Sequence, residues 1–181
     1  PIAGTMAHSY ISSFGDEVEA FRAFARSFPK KTILLIDTYD TLAGAQKAVK
    51  VAQDMRKRGH ELQGVRLDSG DMIELSRKVR RILDEAGLPE VKIFASSGFD
   101  EYELQRLIAE GARIDAFGVG TELATSADAP SLGAVYKLVE INDQPRIKIS
   151  QEPAKMTIPG RKEAYRLIGR EGYPLADIMI R

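Results

Sequence analysis

The chain is 181 residues long, 44% hydrophobic and 29% charged, with 26 Lys and Arg balanced by 26 Asp and Glu. That composition excludes a disordered chain, zero cysteines exclude disulfides and thiolate metal sites, and zero net charge removes the electrostatic case for nucleic acid or an anionic membrane as partner. The longest wholly aliphatic run, Ile33 to Ile36, falls far short of the ~20 residues a membrane helix needs, and no signal-peptide pattern opens the chain, so a cytoplasmic protein is expected.

The chain opens Pro1-Ile2-Ala3 without an initiator Met, which suggests either a trimmed Met or a piece of something longer. Next comes Gly4-Thr5-Met6-Ala7-His8-Ser9, a loop-like stretch before the first helix. The imidazole of His8 could be a base, a nucleophile or a structural group. Asp16 with Glu19 three residues on marks a helix start, as do Asp71 with Glu74 and Asp100 with Glu103, each read as an N-cap with a reciprocal partner.

Four short apolar runs recur at a nearly constant interval: Thr32 to Ile36, Leu62 to Leu67, Val91 to Ala95 and Ala116 to Val119. Helical periodicity fills the gaps, clearest in Met72, Leu75, Val79, Ile82 and Ala86, repeated in Leu42, Ala45, Val49 and Ala52 and more briefly in Leu104, Leu107 and Ile108. Gly59, Gly87 and Gly111 stop the helices. His60, after the second helix, is read as a surface residue. The alternation is a βα repeat with a parallel sheet. Four strands cannot close a barrel of eight, so the choice lies between part of a barrel and an open, flavodoxin-like doubly wound sheet.

Each strand runs into small or acidic polar residues: Ile36-Asp37-Thr38-Tyr39-Asp40, Leu67-Asp68-Ser69-Gly70-Asp71, Ser96-Ser97-Gly98-Phe99-Asp100 and Gly118-Val119-Gly120-Thr121-Glu122. Ligands of α/β folds bind at the carboxyl ends of parallel strands, and four such tips suit a phosphorylated, metal-bound substrate. The plainer reading is that these are only loop and cap residues. Arg66, inside an apolar strand one residue before its acidic tip, either clamps a carboxylate or phosphate or makes a structural bridge to Asp68 or a neighbouring acid.

Beyond Gly133 the expected hairpin has strands Val135 to Ile141 and Arg146 to Ser150 joined by Asn142-Asp143-Gln144-Pro145. Gln151 to Arg181 is read as a wrapping tail, where Lys155, Arg161, Lys162, Arg166 and Arg170 outnumber Glu152 and Glu163. Those bases either meet an anionic substrate or form a solvated face. No nucleotide P-loop, dinucleotide glycine fingerprint, zinc motif or Ser/His/Asp arrangement is legible.

Gly4-Thr5-Met6-Ala7-His8-Ser9, Val65-Arg66-Leu67-Asp68-Ser69-Gly70-Asp71, Phe117-Gly118-Val119-Gly120-Thr121 and Lys155-Met156-Thr157-Ile158-Pro159-Gly160-Arg161-Lys162 together resemble the nicotinate phosphoribosyltransferase family. The resemblance runs in order from Gly4 to about Asp177 and includes Tyr136-Lys137-Leu138-Val139. It implies a partial (β/α)-barrel of the type II phosphoribosyltransferase kind over residues 1–133, carrying the active-site strand tips, and a β-hairpin and wrapping tail over 134–181. It also implies synthesis of nicotinate mononucleotide and pyrophosphate from nicotinate and phosphoribosyl pyrophosphate, with Mg2+ and coupled hydrolysis of ATP. By the same resemblance His8 is the histidine that ATP phosphorylates, Thr5 and Arg66 bind nicotinate, and Thr121 contacts phosphoribosyl pyrophosphate. Asp68, Gly98, Gly118 and Gly120 lie nearby, and the metal ligands stay unassigned. Family members carry a substantial N-terminal portion before the histidine segment, so this chain is expected to be a C-terminal fragment that works as a homodimer or with a complementing N-terminal chain. The alternatives are a nicotinamide or quinolinate phosphoribosyltransferase, or a non-catalytic module that binds a phosphorylated metabolite and needs a partner chain.

Overall fold

A computed structural model of the chain describes residues 5–125, 135–149 and 155–180. Two helices, α1 (His8–Ser12) and α2 (Glu17–Ser27), precede a regular alternation: β1 (Ile33–Leu35), α3 (Thr41–Arg56), β2 (Gly64–Leu67), α4 (Met72–Glu85), β3 (Lys92–Ser96), α5 (Glu101–Ala109), β4 (Ala116–Gly118) and α6 (Thr121–Ala124). All four strand spans fall within or beside the predicted apolar runs. They pair in parallel in the order β1-β2-β3-β4, with Leu35, Arg66, Phe94 and Ala116 in one rung. Strand order follows chain order without a reversal, which is the winding of a barrel sector and not of a doubly wound sheet. No described helix is long and apolar enough to cross a membrane.

Period-2 alternation gives the sheet two different faces. Leu34, Ile36, Val65, Leu67, Ile93 and Ala95 are almost wholly buried and join one core with Ala45, Ala48 and Val51 of α3 and Leu75, Val79 and Leu83 of α4. The other face carries Arg66, Phe94 and Ser96, all half-buried.

Close contact between α3 and β1 depends on one glycine. A Cβ at Gly44 would lie 2.0 Å from the Ile36 carbonyl oxygen, an atom that cannot move without moving the strand. Gly44→Ala is therefore expected to cost about 3 kcal/mol through overpacking, more than the roughly 1 kcal/mol by which Ala surpasses Gly in helix propensity. A denaturant midpoint equal to or above that of the parent chain would refute the contact.

The caps form as predicted in their main half. Asp16, Asp71 and Asp100 accept hydrogen bonds from the backbone N–H groups of Glu19, Glu74 and Glu103. The expected return contact is not seen for two of them, because the Glu74 carboxylate pairs with Lys78 and the Glu103 carboxylate with Arg106. Asp40 caps α3 in the same way, through Ala43 N–H at 2.7 Å. Gly59 ends α3 at φ +73°, a left-handed conformation that glycine adopts without strain.

The hairpin is shorter than predicted. Only β5 (Glu140–Ile141) and β6 (Gln144–Pro145) pair, and Asn142 and Asp143 form the two-residue turn with φ of 50° and 57°, as a type I′ turn requires. Gln144 and Pro145 thus belong to a strand and not to the turn. The flanking backbone finds other partners: Val139 O accepts from both Arg146 N and Gly160 N, and Lys148 N–H donates to Thr157 Oγ1 at 2.7 Å. The stretch predicted as a tail instead forms an antiparallel ribbon, β7 (Glu163–Ile168) with β8 (Pro174–Ile180), exposed throughout. Gly4, the boundary at 133/134, Ser150 and Glu152 lie outside the described residues.

Candidate active site

Parallel strands set in register bring their exits to one end of the sheet, and there the acidic tips meet. Asp37, just past β1, is buried, and its Oδ2 accepts the backbone N–H of Asp68 at 3.0 Å and the Ser69 hydroxyl. The tips of β1 and β2 are thereby tied. Asp68 in turn accepts the hydroxyl of Ser96, the last residue of β3. Gly118 closes the row: a Cβ there would sit 3.4 Å from the Ser96 Cβ.

The segment that leads into α1 runs beside β1. Thr5 Oγ1 donates to Ile33 O at 2.9 Å near the start of the strand, and His8 reaches the tip. Its two ring nitrogens are approached from different strands, Nδ1 by Thr38 Oγ1 at 3.0 Å and Nε2 by Asp68 Oδ2 at 3.4 Å. The second approach is too long and poorly aligned to count as a hydrogen bond. Arg66 Nη2 lies 3.9 Å from the other Asp68 oxygen. Burial pushes the Asp68 carboxyl upward, but the contacts with His8 and Ser96 and the Arg66 charge outweigh it and hold the group below its ordinary value. It stays a carboxylate.

Cations come from the far end of the chain. Lys155 Nζ donates to the Asp68 carbonyl at 3.2 Å. Lys148 is buried, and burial pushes its ammonium down, against the pull of Asp37 and Asp68 and reinforced by Lys137 and Lys155. Six buried side-chain atoms among the described residues have no hydrogen-bond partner: His8 Nε2, Glu17 Oε1, Asp37 Oδ1, Arg66 Nε, Arg146 Nε and Lys148 Nζ. Four belong to this group, and the other two face it electrostatically, Glu17 through Asp37 and Tyr39, Arg146 through Tyr39. Buried polar atoms are ordinarily satisfied, so a concentration of unspent donors and acceptors at one place marks a surface made for a polar ligand. Between the first two tips a cleft of about 360 Å3 is lined by Asp37, Tyr39, Thr41, Ser69, Gly70 and Ile149, among others.

Of the residues singled out in the sequence, His8, Arg66 and Asp68 come together, Gly118 adjoins them through Ser96, and Thr5 bonds instead to the start of β1, away from the tips. Gly98, Gly120 and Thr121 stand on exposed parts of the third and fourth tips, with no described contact to the cluster. Sequence reasoning passed over Asp37, Thr38, Ser96 and Lys148. Asp37 and Thr38 stand in the first tip without separate weight, and Lys148 lies on the polar side of an alternating stretch, Arg146 to Ser150, with no signal that it folds back.

Three findings bear on ancestry. Residues 1–169 match the model of the nicotinate phosphoribosyltransferase (NAPRTase) family. A nicotinate phosphoribosyltransferase of Bacillus subtilis is 47% identical over 178 residues, which cover 96% of this chain and 36% of that protein. Among solved structures, the human nicotinic acid phosphoribosyltransferase is similar with a TM-score of 0.61 at 30% identity over 99% of this chain and 43% of that one. A nicotinate-nucleotide pyrophosphorylase from Pyrococcus furiosus gives 0.57 at 30% identity, over 98% and 42%. The chain spans little more than a third of the length of the first of these relatives.

Proposed function

This chain belongs to the nicotinate phosphoribosyltransferase family, and we propose that it supplies the strand-tip part of a cytoplasmic active site that makes nicotinate mononucleotide and pyrophosphate from nicotinate and phosphoribosyl pyrophosphate. What supports this best is the convergence of Arg66, Asp68 and His8 with Lys148 and Lys155 around unspent polar atoms. The outer strand β4 has a free edge in the described sheet, and the rest of a longer polypeptide, a complementing chain or a second subunit would complete the barrel there.

The reaction displaces pyrophosphate from the anomeric carbon through a transition state with oxocarbenium character. Arg66 offers a planar pair of donors to the nicotinate carboxylate, which turns the ring nitrogen toward the sugar. Nicotinamide has no carboxylate to take that charge. Lys148 and Lys155 oppose the charge that builds on the leaving group. Among the described residues no three His, Asp or Glu side chains gather as a metal site. A magnesium ion that binds through one or two carboxylates and its substrate's phosphates fits the ionised Asp68, and would there neutralise departing pyrophosphate.

Thr38 holds the His8 ring at Nδ1 and leaves Nε2 unpartnered near Asp68, and a phosphoryl group taken from ATP on that ring would add charge and acceptors beside the lysines. Calorimetry of the 181-residue chain with phosphoribosyl pyrophosphate and magnesium tests the binding role: saturable heat is expected, and none would overturn the reading. For the phosphorylation, His8→Ala in the active assembly should abolish ATP stimulation while ATP-independent turnover persists. Acid-labile phosphate retained by that variant would assign the modification elsewhere.

A further inference from the structure

The opposite pole of the sheet carries a second crevice. α2 and α3 both run toward the ends where strands begin, and their last turns converge there. α3 is 16 residues long, so the crevice lies about 24 Å from the strand tips along that helix. Its volume is about 180 Å3, and its floor is apolar, made by Ala25, Val51 and Met55. Its rim carries Arg22, Arg26 and Arg58, with the imidazole of His60 beside them.

One acid, Asp54, lines it as well, and that acid is spent. Arg22 donates to Asp54 Oδ2 through Nε at 3.0 Å and Nη2 at 2.8 Å, and Lys57 approaches the other oxygen. Among the described residues neither the Arg26 nor the Arg58 guanidinium has a hydrogen-bond or ion-pair partner; the Arg58 charge acts on Asp54, and that of Arg26 on Tyr10, only at longer range. Positive residues near helix C-termini complement the helix dipole, which explains why such residues occur in these turns. It does not explain why two unspent guanidiniums and an imidazole from separate segments share an apolar-floored hollow.

We propose that this crevice binds a small organic carboxylate, with an apolar body of about one six-membered ring on the floor and the carboxylate between Arg26 and Arg58. Size supports the class, since a cavity of about 150 Å3 accommodates benzene. So does chemistry, because a guanidinium offers paired donors to a planar carboxylate, and the Ala25, Val51 and Met55 floor has no donor for a bare inorganic anion. The proposal is independent of the strand-tip reading.

The chain's 2 histidines make the test selective, because His8 reports on the strand tips and His60 on the crevice. Benzoate and inorganic phosphate are titrated separately at constant pH into the 13C-labelled chain, and both imidazole signals are followed. Benzoate should shift His60 along a saturable curve, with phosphate producing a much weaker, unsaturated change. In the exposed double variant Arg26→Ala, Arg58→Ala the apparent Kd for benzoate at His60 should rise about tenfold or more, as expected for lost charge-assisted hydrogen bonds. The His8 signal of that variant should stay at its parent position, which shows that the fold is intact. A linear His60 response to benzoate, an equal response to phosphate, or a Kd unchanged in the double variant would each overturn the assignment.

Discussion

Arg66→Ala, introduced into the active assembly, should raise the nicotinate KM about 100-fold while the KM for phosphoribosyl pyrophosphate moves by no more than a few-fold. The size follows from loss of a charge-assisted, two-pronged contact, worth about 2.7 kcal/mol at that ratio. The asymmetry follows from where the donors point. An arginine that served only to brace the strand would have its donors filled, as Arg80 does on the carbonyls of Leu88 and Val91. Arg66 instead makes a long contact to Asp68 at 3.9 Å and leaves its buried Nε without a partner. Arg66→Lys should not restore nicotinate affinity, because an ammonium on a flexible stem cannot present two parallel donors. Equal losses for both substrates would return Arg66 to a structural role.

The parts of the fold that depend on local pattern were readable in advance. Strands bounded by turn residues, a helix with Met72, Leu75 and Val79 on one face, and Asp caps are decided within a few residues, and all are present. Asp40 escaped notice as a cap because Ala43, and not a glutamate, stands three residues on. The ribbon β7–β8 escaped because Pro, Gly and Arg dominate that stretch, although Tyr165 pairs with Ile178 and Leu167 with Ala176 across it in clear alternation. In the site, Arg66 and Asp68 are neighbours on one strand, and the strand-end rule placed them. Lys148 and Lys155 could not be placed, because their approach to Asp37 and Asp68 is a tertiary event across a separation of 87 residues in the case of Lys155 and Asp68. Hydrophobic periodicity says nothing about such a closure.

That closure sets the scale of the other large effect. Asp37→Ala should destabilise the chain by about 3 kcal/mol, because two hydrogen-bond donors lose the carboxylate oxygen they share and each buried donor left unsatisfied costs about 1–3 kcal/mol. Three groups lose their complement at once: the Asp68 N–H, the Ser69 hydroxyl and, electrostatically, the buried Lys148 ammonium. Asp37→Asn keeps an acceptor for the first two and loses only the charge, so its cost should fall between those of the parent and the alanine variant. Lys148→Met separates the contributions. If the lysine's burial is tolerated because Asp37 faces it, the double variant Asp37→Ala, Lys148→Met should be more stable than Asp37→Ala alone. Coupling of about 0.5 kcal/mol or more, the lower end of the range for interacting residues, is then what chemical denaturation should report. Strict additivity would mean that Asp37 acts only through the backbone of the second tip, and that Lys148 is held for the ligand by Asp68.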